Sequence, residues 1–143
     1  MINFRRSIQG KERYSCVLFF LIIILLTIPV RVEGAIFTVT RTAPDDNNPG
    51  SLRWCMNGAN FSPGPDTIVF NIPAAPPYVI MPDSQLPILT DQAGVLIDGF
   101  SVPGTWAGAN PPSTANLLVV LDGINAGASH GIHIISSNNT IQG

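Results

Sequence analysis

Three short segments decide how this chain reads: Val95–Gly99 (VLIDG), Val119–Gly123 (VVLDG) and Asn139–Gly143 (NTIQG). The second follows the first at an offset of 24 residues, and the third follows at 20. Each ends in an aliphatic residue, then Asp or Gln, then Gly. A period in the low twenties is the length of one coil in a stacked repeat. On that reading Ile97, Leu121 and Ile141 lie over one another in an interior. Val95 and Val119 point the same way two residues earlier. Asp98, Asp122 and Gln142 face outward, and Gly99, Gly123 and Gly143 take the sharp corners.

Working outward, other stretches share this character. Ile36–Thr40, Thr67–Ile72, Tyr78–Met81, Leu117–Asp122, Gly131–Ile135 and Thr140–Gln142 are β-branched or apolar and bounded by turn signals, so each reads as a short strand. Gly and Pro supply 23 of the 109 residues after Gly34, which suits a chain that turns every few residues. One segment breaks the pattern. In Ser51–Asn60 (SLRWCMNGAN), Leu52, Cys55, Met56 and Ala59 fall at i, i+3, i+4 and i+7, one apolar stripe of a helix. Ser51 is its N-cap and Gly58 weakens its last turn.

Residues 1–34 read as a secretory leader. Arg5, Arg6, Lys11 and Arg13 form a basic start, and Cys16–Val30 is an apolar run of 15 residues. That is short of the roughly 20 a membrane-spanning helix needs. Val32 and Gly34 suit the −3 and −1 pockets of a signal peptidase, so cleavage leaves Ala35 as the new N-terminus. Cys16 opens the apolar run and is not placed as a lipoprotein cysteine.

Removing the leader changes the charge balance. Arg41 and Arg53 are the only cations left, against seven Asp, with no Lys and no Glu. Such a surface repels polyphosphates and anionic membranes, which excludes nucleic acid as a partner. The apolar content excludes a disordered polyelectrolyte. Two Cys in the whole chain exclude a disulfide scaffold, and Cys55 reads as a buried thiol.

Taken in order, Phe37–Thr40, Gly50–Asn60, Pro63–Pro73, Leu86–Ile88, Val95–Gly99 and Leu121–Ala128 resemble the front of secreted bacterial right-handed parallel β-helix proteins, some with a CSLREA-type N-terminal region. The resemblance implies an all-β solenoid of pectin-lyase-like fold. It makes residues 35–66 an N-terminal cap of one strand and a short helix, in which Ser51, Leu52 and Arg53 are structural, and residues 67–143 the first coils. Trp54 and Cys55 stand where that family commonly has Glu-Ala or Gln-Ala. Because Gly143 falls within a repeat, further C-terminal coils are expected beyond it.

Several residues carry candidate chemistry. Asp98 and Asp122, on adjacent coils about 5 Å apart, would suit a catalytic carboxylate pair or a Ca²⁺ site. The plainer reading is that each caps its own turn. Asp45-Asp46-Asn47-Asn48 reads as a solvated loop. Ser129-His130-Gly131 resembles the Gly-His-Gly of β-helix polygalacturonases, but their companion Asn-Thr-Asp, Asp-Asp and basic motifs are missing. His130 and His133, three apart on a strand, fall on opposite faces and cannot share a metal. Asn60-Phe61-Ser62 and Asn138-Asn139-Thr140 fit a glycosylation sequon; in a bacterial protein they are coincidental.

These observations predict an exported, secreted or cell-surface protein with a structural, adhesion-like or carbohydrate-contact role and no cofactor. Its partners are an extracellular carbohydrate or a host or cell-surface protein, and it meets a membrane only through the leader during export. The alternatives are the N-terminal part of a polysaccharide lyase or glycoside hydrolase whose active site lies in further coils, and a β-sandwich binding module with antiparallel pairing. An uncovered last coil predicts self-association.

Overall fold

In the computed structural model, residues 32–109 and 114–143 are described. The leader expected over residues 1–34 lies outside them except for its last three residues.

Strand β1 spans Ile36–Val39, helix α1 Leu52–Phe61, and strand β2 Asp66–Phe70. Strands β3 (Tyr78–Ile80), β4 (Val95–Asp98), β5 (Val119–Leu121) and β6 (Thr140–Gln142) follow. They form two parallel sheets, one of four strands in the order β1-β2-β4-β6 and one of two strands, β3-β5. In the larger sheet Phe37 aligns with Ile68, Ile68 with Ile97, and Ile97 with Ile141. In the smaller sheet Tyr78 aligns with Val119 and Ile80 with Leu121. A further parallel bridge joins Leu89 to Ile134.

Alternation decides which faces are buried. In β2, Asp66, Ile68 and Phe70 point inward while Thr67 and Val69 are half-buried; in β4, Val95 and Ile97 point inward. The face carrying Ile68 and Phe70, continued by Ile72, is the covered one. Beyond the end of the β2–β4 ladder, the Phe70 N–H donates to Ser101 Oγ at 2.8 Å, and that hydroxyl donates to the Asp98 carbonyl at 2.6 Å. The short 3₁₀ turn Gly99–Ser101 thus completes the pairing that β4 leaves open.

Helix α1 packs against β1 and β2 with the predicted stripe inward: Leu52, Cys55, Met56 and Ala59 are buried. Ser51 caps it by accepting from the Trp54 N–H at 3.0 Å. The Phe37 ring lies directly over Gly58, where an added Cβ would stand 2.4 Å from Cε1. Gly58 therefore trades helix propensity for close packing of β1. Phe37 also meets Trp54 edge-on, with centroids 6.0 Å apart.

This arrangement corrects the expected fold. The described residues form a small mixed α/β structure of two parallel sheets and one α-helix, not a right-handed parallel β-helix of 20–24-residue coils, and the pectin-lyase-like architecture goes with it. The similarity of VLIDG to VVLDG does not reflect stacking. Val95 aligns with Asp66 in the larger sheet, whereas Val119 aligns with Tyr78 in the smaller one. Ile97 and Ile141 are strand neighbours, 44 positions apart in sequence, while Leu121 lies on the other sheet. Both segments answer the same local demand, an aliphatic strand closed by an Asp turn. The β-sandwich alternative also fails, because β1 to β6 pair only in parallel among the described residues, the antiparallel contact being an isolated bridge between Trp106 and Asn116.

Candidate functional site

The acidic candidates separate. Asp98 aligns with Gln142 on β6, whose Nε2 donates to Asp98 Oδ1 at 2.9 Å. The same oxygen accepts the Phe100 N–H at 3.0 Å. Asp122 follows β5 on the other sheet and accepts the Ile124 N–H at 3.0 Å. Each carboxylate closes its own turn, and the two are not neighbours on one sheet. No group of three or more His, Cys, Asp or Glu able to hold a metal occurs among the described residues. Gly99 and Gly143 face each other across β4 and β6; a Cβ on Gly143 would stand 2.5 Å from the Gly99 Cα. Gly123 has open space around it.

Arg53 organises more of the molecule than its place in the helix suggests. Its guanidinium bonds the Asp45 carboxylate, with Nη2 donating to Oδ2 at 2.6 Å and Nε to Oδ1 at 3.1 Å. It also donates to the carbonyls of Gln85 at 2.8 Å and Ser84 at 3.0 Å. Asp45 Oδ2 takes the Asp83 N–H as well, at 3.1 Å. The Asp45 side chain is only 1% exposed, so it is not part of a solvated loop. The pair staples the turn before α1 to the segment after β3, with every charge satisfied by hydrogen bonds. Arg41 pairs with Asp46 nearby, and the Asn48 side chain, with Arg41, holds the Asp46 carboxyl below its ordinary range. Both cations outside the leader are thus committed to structure. The spacing of Arg53 eight residues after Asp45, in a segment with so few cations, was the available signal for this pair.

His130 and His133 are brought together, contrary to the opposite-face expectation. Neither lies in a strand, and their ring centroids are 4.8 Å apart. His133 Nδ1 is buried without a hydrogen-bond partner among the described residues. His130 borders a shallow cleft of about 120 Å³ with Ser84, Leu121 and Gly123. Ligand pockets for small molecules begin at roughly 300 Å³, so this cleft admits a few atoms of a ligand at most.

Cys55 is wholly buried, and burial pushes its thiol up to about 11. A thiol held neutral is a poor nucleophile. The sequon at Asn60 is also engaged. Its Nδ2 donates to the Ile88 carbonyl at 2.7 Å and its Oδ1 accepts from the Thr90 N–H at 2.8 Å. Asn138 adopts a left-handed conformation with φ of 63°, and Asn139 Oδ1 accepts the Val95 N–H at 3.0 Å. These asparagines hold turns and strand edges in register.

The largest unsatisfied feature is an edge. β6 pairs only with β4, and β5 only with β3. Between them lies a half-open apolar cavity of about 150 Å³ bordered by Ile97, Val119, Leu121, Ile132 and Ile141. Ile141 remains 47% exposed, and Leu117, Val120, Ile124 and Ile135 of the same later segment are exposed as well. Comparison with known proteins adds no relative: no family model, no curated protein and no solved structure matches the chain.

Proposed function

We propose that this chain is exported and serves outside the cell as a structural, adhesion-like element, joining a protein partner by strand addition at the outer edges of β5 and β6. The observation that carries the reading is the apolar corner there, where two parallel strands each have one unpaired side and Ile141 is half exposed. An unpaired strand edge beside exposed aliphatic side chains is a template for another strand. The occupant is a strand from a second copy of the chain, which would bring the same apolar side chains. Carbohydrate contact has less support, since the cleft beside His130 is too small to enclose a sugar. The basic and apolar leader supports export.

The test is to express the full chain in a bacterial host, recover it from the exported fraction and follow sedimentation against concentration. Association that is lost in Ile141→Lys, with the thermal transition retained, supports the reading, because an edge lysine blocks strand addition. A sharp monomer at all concentrations, or undiminished association of the lysine variant, contradicts it.

A further inference from the structure

Asp66 carries an oddity that neither sheet explains. It occupies an inward position of β2 and is only 2% exposed. Its Oδ1 accepts the backbone N–H of Ala35 at 2.6 Å. Its Oδ2 is buried and has no hydrogen-bond partner among the described residues. A buried carboxylate with one oxygen unsatisfied is costly, and an uncompensated one more so. Neither of the two arginines outside the leader reaches it, since Arg41 and Arg53 are engaged by Asp46 and Asp45.

Ala35 is also the residue that follows the expected leader cleavage. We propose that removal of the leader creates the missing partner: the new α-ammonium of Ala35 forms a buried ion pair with Asp66 that locks β1 into the sheet. The inference rests on the reading that the chain is exported and processed after Gly34. In the cleavage, signal peptidase adds water across the Gly34–Ala35 peptide bond. The hydroxyl goes to the Gly34 carbonyl carbon and the water's remaining proton to the Ala35 nitrogen; the new Gly34 carboxylic acid then ionises and the Ala35 amine takes up a second proton. One N–H donor then becomes three, on a cation, beside a carboxylate with a free oxygen. The nitrogen needs little movement, because Ala35 is already anchored by its carbonyl, which accepts the Thr67 N–H at 2.9 Å. The backbone at the cleavage site also passes close to Pro65. A Cβ at position 34 would stand 1.6 Å from the Pro65 carbonyl oxygen, so only glycine threads there in the uncleaved chain.

The chain offers a clean probe, because residues 35–143 contain no Lys and the α-amine is then the only primary amine. The full chain is expressed with its leader, the exported product is purified, and its N-terminus is located by mass spectrometry. An amine-acylating reagent is then applied near pH 8, in native buffer and in denaturant. An Ala35 terminus acylated about fivefold more slowly when native, the change that a one-unit rise in amine pKa produces near pH 8, supports the proposal. Asp66→Asn should restore the fast rate. Should that variant not fold, a glycine inserted between Gly34 and Ala35 moves the amine outward and should restore the fast rate with the thermal transition retained. An Ala35 terminus acylated equally fast in both buffers overturns the ion pair and leaves export standing. Export with a different terminus overturns it as well, and failure of export overturns the functional reading beneath it.

Discussion

The segment from β1 through the turn after β4 and the segment from 114 onward are built from similar aliphatic strands, yet they bury them very differently. Every fully buried apolar side chain among the described residues lies between Val39 and Val102. Leu118, Val119, Leu121 and Ile132 of the later segment are only partly covered, and Ile124, Ile135 and Ile141 are exposed. The difference lies in what covers each strand. Helix α1 seals the first region with four side chains, whereas β5 and β6 each have a neighbour on one side only. Strand-forming sequence is thus not enough to make a core; a second layer must cover it.

That contrast can be broken by mutation. The largest effect is expected from Met56→Ala, because Met56 is fully buried on the inward face of the helix. Loss of about 2–5 kcal/mol in denaturant unfolding is expected, from lost burial and the cavity left behind. A loss below about 1 kcal/mol would mean the helix does not seal this core.

The Cys55 thiol gives an intermediate test of the same seal. Its folded pKa is raised from 9.0 to about 11. The unfolded chain therefore releases this proton first as pH rises, so stability from the neutral thiol is complete below pH 9 and is lost progressively toward pH 11. Cys55→Ala should flatten that part of the stability–pH curve. An unchanged slope in the variant would show that other groups set it.

The smallest effect is expected from Ile141→Ala on the open edge. With Ile141 half exposed, the change should cost about 1 kcal/mol or less at concentrations where the chain is monomeric. A loss as large as that of Met56→Ala would mean the later segment is buried in solution.

Local signals were legible in the sequence because they depend on near neighbours. The helix followed from the spacing of Leu52, Cys55, Met56 and Ala59, and its start from Ser51. Strand positions followed from β-branched runs between turns, and the turn-closing role of Asp98 and Asp122 from side-chain reach. Pairing was not legible. The resemblance of Val95–Gly99 to Val119–Gly123 suggested stacking, but any aliphatic strand ended by an Asp turn looks alike, whichever sheet it joins. The larger sheet instead joins segments separated by 31, 29 and 44 positions, an irregular spacing with no simple repeat. Asp45 and Asp66 were hidden for a related reason. Each lies in a run that reads as a turn, and only the tertiary partners, Arg53 and Ala35, draw it inward. The His130–His133 contact depended on that segment not being a strand, which local pattern could not decide.

Val95–Asp98 and Val119–Leu121 belong to different sheets. Inter-strand backbone proton contacts in the nuclear Overhauser spectrum of the Ile141→Lys variant, chosen to keep it monomeric, address this directly. Contacts are expected between Leu96–Asp98 and Thr140–Gln142 and between Tyr78–Ile80 and Val119–Leu121. Backbone contacts running directly between Val95–Asp98 and Val119–Leu121 would contradict it.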